Sequence, residues 1–348
     1  MQALVYHGRH DFRWEEKPAP RLQQPGDAIV RITRTTICGT DLHILNGDVP
    51  TVTPGRTLGH EGVGVIVERG SDVRNFDVGD RVLISCITSC GRCDYCRRQM
   101  YSHCTSGGWI LGNKIDGTQA EMVRIPLADT SLYRLPETID EEAAVMLSDT
   151  LPTSYECGVI NGAIKPGDSV AIVGAGPIGL AALLTAQLMS PGAVIMIDPN
   201  AQRLQVAKEL GATHIVDNSK DNAESAVMGL TNKMGVDVAI EAVGLPETFD
   251  ICQQIIAPGG HIANIGVHGK PATLRLERLW DRNISIATRL VDTATTSTLI
   301  KTVASGALDP SRLITHRFCL NDMMKAYDAF GHAVREKAIK VIINATGC

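Results

Sequence analysis

The sequence predicts a chain of two domains: an antiparallel, barrel-like β domain, then an α/β domain built on a parallel sheet. Three observations carry this. At 348 residues the chain exceeds what one hydrophobic core usually supports. Up to about residue 150 it runs in short apolar or β-branched stretches separated by turn residues. From about residue 165, strand-like runs alternate with helical ones, the pattern of a parallel sheet with covered faces.

In the first part, Asp27 to Thr36 (DAIVRITRTT), Gly62 to Glu68 and Arg81 to Cys86 read as strands bounded by glycine or aspartate. In the second, Lys165-Pro166-Gly167-Asp168 makes a turn into a buried strand, Ser169 to Val173. Pro177 to Met189 then reads as a helix, Ala193 to Asp198 as a strand, Ala201 to Leu210 as a helix and His214 to Val216 as a short strand. Val236 to Glu241 and His261 to Ile265 are further strands. From roughly residue 290, helices lead to a closing strand, Lys340 to Ile343, available to return to the first domain.

The chain is 44% hydrophobic and 20% charged, as globular proteins are. A net charge of −5 offers no basic face to nucleic acid. Apolar runs fall short of the about 18 residues a membrane span needs. Met1-Gln2-Ala3-Leu4-Val5 leads straight into strand-like sequence, without the charged region and apolar core of an export signal. A cytoplasmic protein is expected.

In a reducing compartment, closely spaced cysteines point to metal or redox chemistry. Cys90, Cys93, Cys96 and Cys104 follow C-x2-C-x2-C-x7-C, four soft ligands sufficient for a closed tetrahedral zinc site. The residues between them are too polar to form a core, so zinc would replace one. Cys86, Cys157, Cys252, Cys319 and Cys348 lack ligand-like spacing and read as ordinary small apolar or surface residues.

Gly174-Ala175-Gly176-Pro177-Ile178-Gly179 fits G-x-G-x-x-G, follows a strand and opens a helix. Asp198 ends the next strand, nineteen residues after Gly179. That context marks a dinucleotide site. The glycines let backbone amides approach a pyrophosphate at the helix N-terminus. Asp198 would accept hydrogen bonds from the adenosine ribose and repel a 2′-phosphate, so NAD is expected over NADP. Arg203 is expected to cover the adenosine side.

Residues 59–73 fit G-H-E-x2-G-x5-G-x2-V through Gly59, His60, Glu61, Gly64, Gly70 and Val73. Cys38-Gly39-Thr40-Asp41-Leu42-His43 lies upstream and Gly79-Asp80-Arg81-Val82 downstream. With the cysteine lobe and glycine loop in this order, the chain resembles the zinc-containing medium-chain alcohol dehydrogenases over essentially its whole length. The resemblance implies a GroES-like β-barrel catalytic domain over 1–152, with a structural zinc lobe at 86–106. It also implies a Rossmann dinucleotide-binding domain with a doubly wound parallel sheet over 153–290, and a C-terminal return to the catalytic domain over 291–348.

The same resemblance implies two zincs per chain. Cys38 and His60 become ligands of a catalytic zinc, with Asp149 of Ser148-Asp149-Thr150 as the third, and Glu61 stands beside the metal. Thr40 supplies a hydroxyl to the substrate oxygen, and His43 a proton relay toward solvent, a task that suits a group titrating near neutrality. Gly266-Val267 resembles backbone that recognises the nicotinamide carboxamide, and Lys340 a basic residue that meets the pyrophosphate.

Zinc lowers the pKa of a coordinated hydroxyl, and NAD takes the hydride from the adjoining carbon. The expected reaction is reversible hydride transfer between a small aliphatic primary or secondary alcohol and NAD, giving aldehyde or ketone and NADH. Polyol or threonine oxidation is the alternative within the family, and a non-catalytic NAD-binding protein the alternative outside it. Gly107-Gly108-Trp109 and Asp149 resemble the bacterial secondary-alcohol branch, whereas the four-cysteine lobe and Asp198 depart from its NADP-preferring members. A homo-oligomer is expected, tetramer over dimer, without nucleic-acid or membrane partners.

Overall fold

Ala28–Thr36 is the strand on which the first unit is assembled. In the computed structural model, which describes residues 1–345, one edge of this strand pairs antiparallel with Gly62–Arg69. Its other edge is shared. Met122–Ile125 pairs with Ala28 to Arg31, and the closing strand Lys340–Asn344 with Arg34 to Thr36. Arg81–Ile84 and Leu132–Arg134 extend the sheet antiparallel, while Ile314–Cys319 adds parallel to Lys340–Asn344, completing seven strands. A three-stranded sheet joins Gln2–Gly8 to Asp11–Glu16 and Arg56–Thr57. Alternation along the strands sends Val30, Ile32, Ile66, Val82, Ile84 and Val123 into one core. Leu4, Ile37, Ile44, Leu58, Val341 and Ile343 fill another.

This unit comprises Met1–Asp149 and the chain from Asp292 onward. The return is anchored by hydrogen bonds. Asp292 accepts from the Ser102 amide and hydroxyl at 2.9 and 2.6 Å. The Thr293 hydroxyl lies 2.9 Å from that of Ser85, and the Thr293 carbonyl accepts from Tyr133 at 3.0 Å.

The strand at Arg81 stops at Ile84, two residues earlier than its sequence suggests. Ser85 and Cys86 leave the ladder because their amides bond instead to Ser131 O and Ser148 O, at 3.0 and 3.2 Å. Cys157 and Cys252 are buried. Cys319 departs from its expected ordinary role: it is disulfide-bonded, which spacing along the chain does not disclose. Cys348 lies outside the described residues.

The second unit, Thr150–Val291, holds six parallel strands. Across the sheet they run His214–Asp217, Ala193–Asp198, Ser169–Val173, Val236–Glu241, Ile256–Asn264 and Ser285–Thr288. Numbered along the chain this is the doubly wound order 3-2-1-4-5-6, with its switch point between the strands beginning at Ser169 and Val236. Val170 to Val173 and Val194 to Ile197 are continuously buried, as strands covered on both faces are. The helix after the first strand spans Pro177–Ala186, then tightens into a narrower turn at Gln187–Met189 instead of continuing as one α-helix. Among the described residues, no helix is long and apolar enough to cross a membrane.

The start of that helix leaves no room for a side chain at Gly179, where a β-carbon would stand 1.8 Å from Gly174 O. Gly176 differs: the nearest atom to its β position is 4.0 Å away, and its φ of −75° suits any residue. Gly179→Ala is therefore expected to destabilise the protein by about 1–3 kcal/mol through forced overpacking. Gly176→Ala should leave the melting temperature near wild type, and thermal denaturation of the two variants checks the difference.

Candidate functional site

The site of the first unit begins where Ala28–Thr36 ends. Cys38 caps the short helix Gly39–Leu45, and its amide donates to Asp41 Oδ2 at 2.9 Å. The same oxygen accepts from Gln119 Nε2 at 3.0 Å, and Gln119 Oε1 accepts from the Tyr327 hydroxyl at 2.7 Å. Gly59 has φ +92°, and a β-carbon there would meet Gln119 Cγ at 2.6 Å. This glycine lets the chain turn so that His60 and Glu61 enter the interior just ahead of the strand Gly62–Arg69. Ser148 Oγ bonds the Gly62 amide and carbonyl at 3.1 and 3.3 Å, which ties Asp149 to the same strand.

One donor atom each from Cys38, His60, Glu61 and Asp149 therefore lies within 4.8 Å of all the others. His60 is 4% exposed, Glu61 1% and Asp149 8%. His60 Nε2 stands 3.2 Å from Asp149 Oδ2, and Cys38 Sγ 3.9 Å from the same oxygen. Nitrogen and oxygen ligands on tetrahedral zinc are separated by about 3.4 Å, given metal–ligand bonds of about 2.0–2.1 Å. The spacing and the thiol–imidazole–carboxylate chemistry both fit that ion. Burial alone would lower the His60 pKa, but Asp149 and Cys38 hold it well above the ordinary histidine value. The pocket thus favours positive charge. Asp41, pushed up by burial and acted on by His60, keeps Oδ1 buried without a hydrogen-bond partner among the described residues.

Lys340 arrives on the closing strand Lys340–Asn344, which pairs with Ala28–Thr36. Its ammonium lies 2.8 and 3.1 Å from the two Glu61 oxygens, and the residue is 2% exposed. Burial would lower its pKa, yet the Glu61 charge raises it. Glu61 is thereby a paired carboxylate within the donor cluster.

Around this cluster, the Cys38 sulfur is 3.6 Å from the Thr40 hydroxyl. His43 is exposed, with Nδ1 3.1 Å from Asp48 Oδ2. The Trp109 ring stands edge-on to His60, centroids 6.2 Å apart. Cys86, which carries no spacing signal, places its sulfur 3.5 Å from Asp149 Oδ1.

The cysteine lobe forms a second cluster. Cys90, Cys93, Cys96 and Cys104 bring their sulfurs within 4.8 Å of one another. Cys90 and Cys96 sulfurs are 3.9 Å apart, against about 3.8 Å for two thiolates on tetrahedral zinc with Zn–S bonds of about 2.3 Å. Backbone amides of Cys96 and Thr105 bring the Cys93 thiol down to about 6, while burial carries Cys96 up to about 12. From residue 90 to 104 only Cys96 and Cys104 are buried, so the lobe has no apolar core of its own.

In the second unit, both Asp198 oxygens accept backbone amides: Oδ2 from Ala175 and Oδ1 from Asn200, each at 2.7 Å. This joins the glycine loop to the end of the neighbouring strand. Gly176 caps the helix that begins Pro177-Ile178-Gly179. Arg203 reaches toward the glycine loop, Nη1 being the nearest atom to the Gly176 β position. Beyond the strand Ile256–Asn264, the Gly266 carbonyl accepts from Asn264 Nδ2 at 2.8 Å, and Val267 is 70% exposed. Buried Glu241 holds the adjoining loop by accepting from the Val243 and Gly244 amides, both at 2.9 Å.

Lys340→Met leaves the Glu61 charge buried without its cation and is expected to cost about 3–5 kcal/mol. Lys340→Met combined with Glu61→Gln should recover much of the loss in denaturant unfolding. Cys96→Ser should lower bound zinc by one ion and speed tryptic cleavage at the exposed Arg92, Arg97 and Arg98, while leaving the other centre filled.

Comparison with known proteins covers both units. Residues 24–137 match the alcohol dehydrogenase GroES-like domain family, and residues 177–305 the zinc-binding dehydrogenase family. An alcohol dehydrogenase of Cupriavidus necator is 35% identical, over 99% of this chain and 98% of its own. The NADP-dependent isopropanol dehydrogenase of Thermoanaerobacter brockii is also 35% identical, over 91% of each. Among solved structures, the apo form of zinc dependent alcohol dehydrogenase 2 from Streptococcus pneumonia superposes with a TM-score of 0.96 at 50% identity, covering 100% of this chain and 99% of that one. Likeness of this depth along the whole length places the chain in the zinc-dependent medium-chain alcohol dehydrogenase family.

Proposed function

We propose that the protein is an NAD-dependent zinc alcohol dehydrogenase that interconverts small aliphatic primary or secondary alcohols with their aldehydes or ketones. The observation that carries this is the convergence of Cys38, His60, Glu61 and Asp149 within 4.8 Å; with Glu61 paired to Lys340, the other three make a ligand set of the kind that leaves a fourth position open. Those residues would hold a catalytic zinc, and Cys90, Cys93, Cys96 and Cys104 a structural one. Bound at the first centre, zinc would acidify an alcohol hydroxyl or polarise a carbonyl. Thr40 would hydrogen-bond the substrate oxygen and draw off its proton, and exposed His43 would pass the proton to water. Glu61, paired with Lys340, would stand beside the metal. Trp109 offers an apolar wall beside His60, which favours an aliphatic substrate over a polyol or threonine.

Gly174, Gly176, Pro177, Ile178 and Gly179 would cradle the pyrophosphate. The Gly266-Val267 backbone would meet the carboxamide. Asp198 would face the ribose, where its charge opposes a 2′-phosphate. NADP is the second reading. Arg203 lies near the glycine loop, and the isopropanol dehydrogenase relative is NADP-dependent.

The enzyme would work in the cytoplasm as a homo-oligomer, with a tetramer favoured over a dimer. Ser285–Thr288 ends the six-stranded sheet, and Ile286, Leu290 and Trp280 near it are 37%, 45% and 77% exposed. Edge strands flanked by apolar surface are usually covered.

Initial rates on ethanol, 1-butanol, 2-propanol, 2-butanol, sorbitol and threonine, each with NAD and NADP, test the proposal. NAD-linked turnover of the simple alcohols, abolished in Cys38→Ser, is expected. Turnover confined to sorbitol or threonine would reassign the substrate, faster rates with NADP would reassign the cofactor, and silence from zinc-replete protein would favour a non-catalytic NAD-binding role.

A further inference from the structure

We propose that Cys86 is a positioning residue of the metal centre, whose thiol holds Asp149 as a one-oxygen ligand. The inference rests on Cys38, His60 and Asp149 being the zinc ligands. Cys86 is 2% exposed, and its sulfur lies 3.5 Å from Asp149 Oδ1, to which the thiol can donate. The other oxygen, Oδ2, is the one that faces His60 Nε2 at 3.2 Å and Cys38 Sγ at 3.9 Å. The two oxygens of a free carboxylate are equivalent and can bind a metal singly or together. Here the thiol makes them different.

The backbone holds Cys86 in this place. Its amide donates to Ser148 O at 3.2 Å, the carbonyl just before Asp149. Ser148 Oγ is in turn bonded to Gly62, two residues beyond His60. The thiol and the carboxylate are thus held in register from both sides. Cys86 acts on the ligand and is not a ligand itself: it lies outside the four groups whose donor atoms gather within 4.8 Å. The consequence is functional. A catalytic zinc keeps one coordination position for water or substrate, and a carboxylate that swings to bind through both oxygens would take it.

Zinc content and zinc affinity, measured on the full chain by competition with a chelating indicator, would be compared for wild type, Cys86→Ser and Cys86→Val. Valine removes the donor and adds about one methyl group, whereas serine keeps a donor. Cys86→Val is expected to hold one of its two zincs about tenfold more weakly, the usual loss when an outer partner of a ligand is removed. The zinc of the four-cysteine lobe should be unchanged, and Cys86→Ser should bind close to wild type. With cobalt replacing zinc, the Val variant should absorb more weakly in the visible, as coordination rises above four. Cys86→Val with wild-type affinity and spectrum would overturn the proposal, as would Cys86→Ser losing as much as Cys86→Val. Wild-type protein that fills only the cysteine lobe would overturn the metal-centre reading itself, and this inference with it.

Discussion

Four ionisable side chains share one interior pocket in the first unit, and much of the surrounding structure answers the cost of keeping charge out of water. Glu61 is neutralised by Lys340, which arrives on the C-terminal strand. Asp149 is shared between His60 and the Cys86 thiol. Cys38 is held through its amide by Asp41, which is tied to Gln119 and Tyr327. A dicationic metal suits such a pocket because its donor atoms are already gathered within 4.8 Å of one another. The buried Lys340–Glu61 pair also explains why the last strand belongs to this unit, although more than 270 residues separate the partners.

The second unit is governed by a different limit, the close approach of backbone to backbone. The glycine loop must pass under the start of a buried helix, where Gly179 has no space for a β-carbon. Asp198 then uses both oxygens to bind the loop to the neighbouring strand. Its carboxylate is therefore part of the scaffold as well as the group expected to read a ribose.

The architecture was largely legible because its signals are local. Short apolar or β-branched runs bounded by turn residues mark strands in the first unit, continuous apolar runs mark the parallel strands of the second, and G-x-G-x-x-G after Ser169–Val173 marks the strand-to-helix turn. The α-helix beginning at Pro177 ends sooner than its sequence suggests, since nothing in its apolar composition shows that it tightens at Gln187. The four-cysteine spacing likewise announced a cluster that the folded chain forms.

By itself the sequence determined the two rhythms of the chain, the cysteine cage and the glycine turn, because each depends on residues close together along the backbone. That Cys38, His60, Glu61 and Asp149 meet is signalled in the sequence only through family resemblance and is formed by the tertiary structure, which alone decided that Cys86 stands against Asp149. It also brought Lys340 to Glu61. The physical reason is that strand register sets which side chains share a face, and a register between distant strands is fixed by the pairing of whole sheets and the cores beneath them.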